Sequence, residues 1–374
     1  MNKKLHILFI SSWYPSSVFP TNGDFVQRHA EAVATKHKVT VIHVVTASNL
    51  NSSKKFNEKI NNVETTIIYI PKTKNKIQKL IRFFKAYLSI IKKIEPIDVV
   101  HVNITFPIGL IALYLKWFHK KSYLVSEHWS GYLYPNNKSI GITQKIITKI
   151  ILKNASFICP VSANLKNEML SFGLKGNYVP VPNVVDTSQF NPLEINSDEF
   201  IITHISGMDN SIKNIDGILN TISKIQTKIP KLIFNLIGGN SNKFINRIKN
   251  LKIENINVIN QIPNLEVANY LKQSKVFILF SNYENLPCVI LESFACGVPV
   301  ISTNVGGISE YFPPNFGYLI EPKDEEALEK SILKIYNNEL KYNKKLMYNY
   351  AENNFGINII SDHFSKLYFK ILTT

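Results

Sequence analysis

Two glutamates, Glu284 and Glu292, lie in the segment SNYENLPCVILESFACGVPVISTNVGG, residues 281–307, where their carboxylates could accept hydrogen bonds from a ligand. Glu284 follows a predicted buried strand, and Glu292 lies eight residues further, inside a predicted helix. Pro287 suits the first position of that helix, and Gly297 suits a left-handed cap at its end. A helix N-terminus favours a phosphate, and a buried carboxylate needs partners such as a vicinal pair of sugar hydroxyls. The segment therefore predicts a site for a phosphate and a sugar.

This segment closely resembles the signature of the retaining glycosyltransferases of family 4, which have the GT-B architecture. The matching positions are Glu284, Glu292, Ala295-Cys296-Gly297, Pro299-Val300 and Gly306-Gly307. The resemblance implies that Glu284 contacts hydroxyls of the transferred sugar, as a catalytic residue, and that Glu292 contacts the ribose of the nucleotide. It also implies donor contacts for the intervening residues Asn285, Leu286 and Pro287. An ordinary amphipathic helix with an exposed glutamate is the alternative.

Three further positions match the family where it binds the donor diphosphate. Gly23 stands where the family places a glycine backbone, although the family more often has two glycines and this chain has Asn22-Gly23. Gly207 and Lys213 keep the family spacing at the start of the second domain, and Lys213 is expected to neutralise the diphosphate as a point charge. Met208 replaces the usual arginine, so one of two expected phosphate-binding cations is missing.

His128 ends a predicted strand at residues 122–128, on the carboxyl edge where functional groups of such sheets collect. By the resemblance, a histidine here lies near the donor sugar and is catalytic. The alternative is a loop histidine that packs against Trp129. Other histidines, at His6, His101 and His204, lie inside predicted strands and are expected in the core.

The expected chemistry is transfer of a sugar from a nucleoside diphosphate, which is already a good leaving group. Catalysis then rests on orientation and on preorganised electrostatics. The sequence has no Asp-x-Asp motif, and the resemblance implies a metal-independent enzyme without a cofactor, whose donor is UDP- or GDP-linked. No double-displacement nucleophile is evident, so attack on the same face of the sugar is the expected route to retention.

Short apolar runs alternate with helical patterns along the whole chain, which predicts parallel sheets covered on both faces. The predicted strands are residues 5–11, 38–46, 65–71, 98–103, 122–128, 157–162, 200–206, 231–239, 256–262, 276–281 and 299–304. The polar stretch 186–199 contains Pro192 and is the predicted linker. We therefore expect an α/β protein of two Rossmann-like, doubly wound domains that face a cleft.

The resemblance assigns a role to each domain. Residues 1–188 are the expected acceptor-side domain, and residues 199–355 are the expected nucleotide-sugar domain. A helix at about 356–374 is expected to pack back on the first domain.

Composition bounds the class of protein. The chain has 374 residues, 45% of them hydrophobic and 19% charged, which fits a globular protein of two domains and not a disordered one. Three cysteines without ligand spacing argue against a disulfide framework or a zinc site. No apolar run approaches the roughly 20 residues of a membrane span. The first apolar stretch is short and lacks a cleavage site, so we expect a cytoplasmic protein.

The net charge of +16 resides entirely in the first half of the chain. Residues 1–190 contain 25 Lys and Arg against 9 Asp and Glu, whereas residues 191–374 contain 18 of each. Two amphipathic basic stretches, 76–93 and 142–153, lie in the charged half. Their apolar stripes either cover the sheet or leave lysines to bind anionic lipid, so we expect a peripheral protein at the inner face of the plasma membrane, with 76–93 as its main contact.

These observations predict a retaining glycosyltransferase that acts on a glycan or lipid-linked saccharide acceptor. The expected context is synthesis of a bacterial surface polysaccharide, such as lipopolysaccharide, capsule or exopolysaccharide. One alternative is a UDP-N-acetylhexosamine 2-epimerase, which shares the GT-B architecture. The other is a basic nucleic-acid-binding protein, although no aromatic nucleic-acid motif or zinc spacing supports one and no nucleic-acid partner is expected.

Overall fold

The computed structural model of the protein describes residues 3–48, 50–94, 96–194 and 197–373. Residues 195 and 196 of the predicted linker, and residue 374 of the predicted last helix, lie outside the described residues. The chain divides into two compact units: a first unit of residues 1–184 and 358–374, and a second unit of residues 185–357. No helix among the described residues is long and apolar enough to cross a membrane.

The first unit is built on a seven-stranded sheet with the order β3-β4-β2-β1-β5-β6-β7. Its strands are β1 His6–Ser11, β2 Lys38–Ala47, β3 Lys54–Ile60, β4 Val63–Pro71, β5 Val99–Asn103, β6 Tyr123–Glu127 and β7 Phe157–Pro160. Its helices are α1 Asp24–Ala34, α2 Lys76–Ile91, α3 Gly109–His119, α4 Ile142–Asn154 and α5 Ala163–Ser171. Every residue of β1, β5, β6 and β7 is buried, because helices cover both faces of a parallel sheet.

The second unit contains a six-stranded, wholly parallel sheet with the order β10-β9-β8-β11-β12-β13. Its strands are β8 Phe200–Ile205, β9 Leu232–Ile237, β10 Ile256–Ile259, β11 Val276–Leu279, β12 Val300–Thr303 and β13 Gly317–Ile320. Its helices are α6 Asn210–Lys213, α7 Ile215–Ile225, α8 Ile245–Asn250, α9 Asn264–Gln273, α10 Cys288–Ala295, α11 Glu325–Tyr336 and α12 Lys344–Phe355. Short 3₁₀ turns occur at Ser130–Tyr132, Asn136–Ser139, Ser241–Phe244, Ser309–Tyr311 and Pro314–Phe316.

The last helix, α13 at Ile357–Thr373, packs on the first unit. Its Tyr368 hydroxyl lies 2.7 Å from Nδ1 of His101, and its Ser365 hydroxyl lies 2.9 Å from Nε2 of His37. The end of the chain therefore completes the core of the unit that the start of the chain forms.

The expected doubly wound α/β architecture is confirmed, but the first sheet is not wholly parallel and two strands were not predicted. Strand β3 pairs antiparallel with β4 through Asn61 and Asn62, which both have positive φ, as a two-residue hairpin turn requires. Its sequence KKFNEKI is mostly exposed at the sheet edge, so no apolar run marks it. Strand β13 has only four residues and also escaped the apolar-run criterion.

Each sheet has one topological switch point, where successive connections turn to opposite faces. In the first sheet it lies between β1 and β5, and in the second it lies between β8 and β11. The loops after these strands are the places where ligands of doubly wound sheets bind.

Candidate active site

Lys213 and Glu284 form an ion pair at the switch point of the second sheet. The lysine ends α6 after β8, and the glutamate lies in the loop after β11, where its Oε1 accepts a hydrogen bond from Lys213 Nζ. The Ser281 hydroxyl donates to the same carboxylate oxygen at 2.7 Å. Both charged side chains are largely buried. The Lys213 ammonium thus lies beside the Glu284 carboxylate. Together they offer a cation for a phosphate and an acceptor for the hydroxyl groups of an attached sugar.

Hydrogen bonds between the two loops hold this pair together. The backbone N–H of Asn282 donates to the Ile212 carbonyl at 2.7 Å, and the side-chain Nδ2 of Asn282 donates to the Ser211 carbonyl at 3.0 Å. Asp209 caps α6 by accepting from the Ser211 amide at 2.9 Å. The short helix therefore has a fixed position relative to the loop that carries Glu284.

The Gly306-Gly307 turn packs against the backbone of the loop that carries Glu284. Gly306 has φ +59°, and a Cβ atom there would lie 1.9 Å from the Glu284 carbonyl oxygen. The Gly307 amide donates to the Asn285 carbonyl at 2.9 Å. The two glycines of the motif thus allow a close backbone approach that fixes the positions of Glu284 and Asn285. Leu286, the next predicted donor contact, is buried in the same loop.

Helix α10 carries Glu292 and begins one residue later than expected. Pro287 is the N-cap, with ψ 124°, and not the first helical residue, because its extended ψ leaves Cys288 to begin the helix. The helix ends as predicted: Gly297 has φ +68°, and the amides of Gly297 and Val298 bond back into the last turn. Glu292 is buried, and its Oε1 lies 3.4 Å from Asn264 Nδ2 at the start of α9.

Asn264 is a site residue that sequence reasoning missed. No motif marks it, and only the packing of α9 against α10 brings its amide beside the Glu292 carboxylate.

Gly207 and Met208 follow β8 and differ in their surroundings. Gly207 is exposed, and a Cβ atom there would meet nothing within 4 Å. Met208 has φ +57° and is buried in the core of the second unit. The residue in place of the family arginine therefore turns inward and leaves Lys213 as the cation paired with Glu284. A second cation, Lys243, is close enough to Asp209 to contribute to lowering the pKa of that carboxyl, although the bond from Ser211 is the larger cause.

His128 and Gly23 lie in one region of the first unit. The His128 ring stacks on Phe25 with centroids 4.3 Å apart, and Phe25 is two residues from Gly23, the N-cap of α1. The predicted partner Trp129 instead packs against Tyr132. Burial, with His29 and His101 nearby, holds the pKa of His128 well below its usual range, against a smaller opposing effect of Asn183. The imidazole is therefore neutral at pH 7.

Gly23 has a backbone that other residues adopt only with strain. Its φ is +78°, and a Cβ atom there would lie 2.5 Å from the backbone carbon and oxygen of Trp13. The glycine is thus required by the loop between β1 and α1, whatever the loop binds.

Glu127 is a second residue that sequence reasoning missed, although it ends a buried strand directly before His128. One carboxylate oxygen accepts from the amide and hydroxyl of Thr105 at 2.9 and 2.6 Å, and the other accepts from the amides of His128 and Trp129, both at 2.9 Å. Burial raises the pKa of Glu127, and these four bonds oppose the rise. The carboxylate joins the loops after β5 and β6 and so fixes the position of His128.

Among the residues that the structure describes, no group of three or more His, Cys, Asp or Glu side chains is placed to hold a metal ion.

Comparison with known proteins identifies the class. Residues 24–189 match the family model described as Glycosyltransferase Family 4, and residues 185–353 match the one described as Glycosyl transferases group 1. An uncharacterized glycosyltransferase of Methanocaldococcus jannaschii is 27% identical over 331 residues, which cover 87% of this chain and 88% of the relative. The putative teichuronic acid biosynthesis glycosyltransferase TuaC of Bacillus subtilis is 27% identical over 359 residues, 88% of each chain.

Solved structures share the fold over nearly the whole chain. Sucrose-phosphate synthase from Thermosynechococcus elongatus superimposes with a TM-score of 0.79 at 20% identity, over 99% of this chain and 100% of that one. Anabaena HepE, in complex with UDP-glucose, has a TM-score of 0.73 at 14% identity, over 98% and 100% of the two chains. The fold is thus that of the GT-B glycosyltransferases.

With both family models matched in succession, the chain belongs to the glycosyltransferases of family 4. This membership favours the transferase over the epimerase and the nucleic-acid-binding alternatives.

Proposed function

We propose that the protein transfers a sugar, with retention of anomeric configuration, from a UDP- or GDP-linked donor to a glycan or lipid-linked saccharide. The observation that carries the proposal is the Lys213–Glu284 pair at the switch point of the second sheet, with Glu292 buried on the adjoining helix. The proposed context is bacterial surface polysaccharide synthesis, because the full-length relative TuaC is named for teichuronic acid biosynthesis.

Each residue of the second unit then has a role toward the donor. Lys213 and the exposed backbone at Gly207 bind the diphosphate and stabilise the charge that develops as it leaves. Glu284 accepts hydrogen bonds from hydroxyls of the transferred sugar, and Glu292 accepts them from the ribose. Asn285, Leu286 and Pro287 line the donor site through the loop that Gly306 supports.

The resemblance also gives two residues of the first unit, His128 and Gly23, a role in the proposed reaction. His128 is neutral, so it can exchange a hydrogen bond with a sugar hydroxyl without adding charge beside the donor. The Gly23 backbone adds a diphosphate contact at the N-terminus of α1. The acceptor hydroxyl attacks the anomeric carbon on the face from which the diphosphate departs and gives its proton to that diphosphate, and no metal ion or resident cofactor takes part.

The proposed location is the inner face of the plasma membrane, with the protein peripheral to it on the cytoplasmic side. Its motivation is the excess of basic residues in the first half of the chain, with α2 as the main electrostatic contact. A lipid-linked acceptor would be presented at that surface.

The test is nucleoside diphosphate release from a panel of UDP- and GDP-sugars in EDTA, with a short saccharide acceptor. We expect turnover of at least one donor without added metal, and a product whose anomeric configuration by NMR matches that of the donor. Glu284→Gln should abolish the release, whereas Glu329→Gln, which alters an ion pair with Lys228 elsewhere in the same unit, should not. Activity that appears only after manganese is added, or a product with inverted anomeric configuration, would contradict the proposed mechanism.

A further inference from the structure

Helices α2, α3 and α4 form one layer on the first sheet. The connections β4–α2–β5, β5–α3–β6 and β6–α4–β7 all run in the same direction along the sheet, so right-handed crossovers place the three helices on one face. A shared apolar groove of about 240 Å³ is lined by all three, through Phe84 of α2, Tyr114 of α3 and Ile147 of α4 among others. We call the outer surface of α2, α3 and α4 the three-helix face.

Helix α4 turns an isoleucine stripe outward. Ile142, Ile146 and Ile150 follow one another at every fourth position, and 80%, 52% and 43% of their respective surfaces are exposed. Thr148, Ile151 and Leu152 are the residues of α4 that are buried. The exposed stripe therefore contributes little to covering the sheet.

The end of α3 continues the apolar surface, and α2 contributes further exposed apolar side chains. Trp117 is 58% exposed and Phe118 is 71% exposed, and Trp117 and Phe118 both line the shared groove. On α2, Ile77, Leu80 and Ile81 are exposed as well. The sequence allowed the apolar stripes of 76–93 and 142–153 to be wholly buried against the sheet. The exposure of these side chains contradicts that interpretation.

The charges of the three-helix face indicate what covers it. The sequences of α2, α3 and α4 contain no Asp or Glu, and Lys79, Lys85 and Lys153 are exposed among the apolar residues. A second copy of this chain docked through the same face would bring cations against cations. An anionic bilayer supplies both phosphate headgroups for the lysines and an apolar layer for the isoleucine stripe.

We propose that the three-helix face inserts Trp117, Phe118 and the isoleucine stripe into the interfacial layer of an anionic membrane. Trp117 is suited to that depth, because an indole has an apolar body and a polar N–H. The lysines extend outward to the headgroups along their own apolar stems. This inference deepens the proposed peripheral location and rests on it, but it replaces a purely electrostatic contact at α2 by apolar insertion at α3 and α4.

The experiment uses the full-length protein and vesicles of phosphatidylcholine alone or mixed with phosphatidylglycerol. Trp117 is the tryptophan to follow, since Trp13 and Trp129 are only partly exposed. We expect its emission to shift to the blue on anionic vesicles and to be quenched by brominated acyl chains. Trp117→Phe should remove both signals, and Trp129→Phe should keep them.

Co-sedimentation at two salt concentrations separates insertion from charge attraction. Raising salt shortens the screening length from about 10 Å at about 0.1 M to about 3 Å at about 1 M, so electrostatic binding fades and insertion persists. Ile146→Ser with Ile150→Ser should weaken the salt-resistant binding roughly tenfold. Lys79→Gln with Arg82→Gln and Lys85→Gln should weaken only the low-salt binding.

Three outcomes would overturn the insertion proposal: unchanged Trp117 emission on anionic vesicles, binding that disappears entirely at high salt, or a dimer in ultracentrifugation that the isoleucine variant dissociates. Donor turnover on a short soluble acceptor should be the same in the Trp117, Ile146 with Ile150, and Lys79 with Arg82 and Lys85 variants. Insertion without any turnover would contradict the proposed function alone, and turnover without insertion would contradict this inference alone.

Discussion

Gly23 and Gly207 were both expected at the donor diphosphate, yet the fold requires only one of them. Gly23 combines φ +78° with a backbone contact that excludes a Cβ atom. Gly207 lies in open space, without a positive φ. Nothing in the surrounding protein requires a glycine at 207, so the proposed contact with the donor diphosphate can be tested there without disturbing the fold.

Alanine should therefore affect donor binding at position 207 and stability at position 23. Gly207→Ala should leave the melting temperature unchanged and weaken donor binding in calorimetry, because the added methyl group obstructs the diphosphate. Gly23→Ala should destabilise the first unit by roughly 1–3 kcal/mol, because the backbone becomes strained. Unchanged donor affinity in Gly207→Ala would remove that glycine from the site.

Glu292 offers a second test at the scale of one residue. Glu292→Gln keeps the shape of this buried side chain but removes its charge, so the ribose loses a charged hydrogen-bond partner. Such bonds contribute about 1.5–3 kcal/mol, which corresponds to a roughly tenfold to hundredfold weaker affinity for the nucleoside diphosphate. Calorimetry with Glu329→Gln as the control measures it. Equal affinities of the two variants would exclude a ribose contact.

At the scale of elements, the loop between β11 and α10 depends on the turn at Gly306, which lies 22 residues after Glu284. Gly306→Ala places a Cβ atom in the space of the Glu284 carbonyl and a side chain at φ +59°. We expect a lower melting temperature and weaker donor binding together, because the turn and the loop move as one. Circular dichroism should show the lower melting temperature, and calorimetry should show the weaker donor binding. Gly207→Ala is the control whose melting temperature stays unchanged. A Gly306→Ala protein with normal donor affinity would show that the turn does not position Glu284.

Sequence patterns predicted the elements that have a strong apolar signal. Buried Val and Ile runs located eleven of the strands, whereas β3 and β13 lacked such runs and were missed. For α2 and α4, helical periodicity showed a stripe but could not show which side meets the sheet. That side depends on the direction of the crossover and on neighbouring helices, which only the tertiary structure contains.

The site shows the same division. The family resemblance singled out Glu284, Glu292 and Lys213, and the structure pairs Lys213 with Glu284, while the roles of all three toward a donor stay predictions. Glu127 and Asn264 escaped, since their importance arises from hydrogen bonds to residues distant in sequence. The inward turn of Met208 was likewise invisible, because only packing shows that its side chain joins the core.

At the scale of the whole molecule, the two units differ in their titration. Burial lowers the pKa of His29 and His43 to about 4 and that of His101 and His128 well below the usual range, all in the first unit. The second unit contains one histidine, His204, whose pKa is also lowered to about 4. Acid should therefore affect the first unit more.

The sign follows from proton uptake on unfolding. These histidines bind protons in the unfolded chain near pH 6.5 but resist them when folded, so their stabilisation is present above about pH 6.5 and is lost as pH falls toward about 4. Each contributes up to about 1.4 kcal/mol per pH unit in that window. Glu127, whose pKa is raised, acts in the opposite direction.

The measurement uses the three tryptophans, which all lie in the first unit. The unfolding temperature of the first unit, followed by tryptophan fluorescence, should be lower at about pH 5.5 than at about pH 7.5. The unfolding temperature of the second unit, followed by its loss of donor binding, should change less. Equal shifts of both transitions would contradict the assignment of the acid-sensitive groups to the first unit.

The central claim is that the switch point of the second sheet binds a nucleotide sugar through Lys213 beside Glu284. Its most direct measurement is isothermal titration of UDP- and GDP-sugars in EDTA against wild type, Lys213→Met and Lys228→Met, the last altering a surface ion pair of the same unit. We predict binding of at least one donor by wild type and Lys228→Met, and a loss of roughly tenfold or more in Lys213→Met. Equal affinities of all three proteins, or no binding of any nucleotide sugar, would contradict the account.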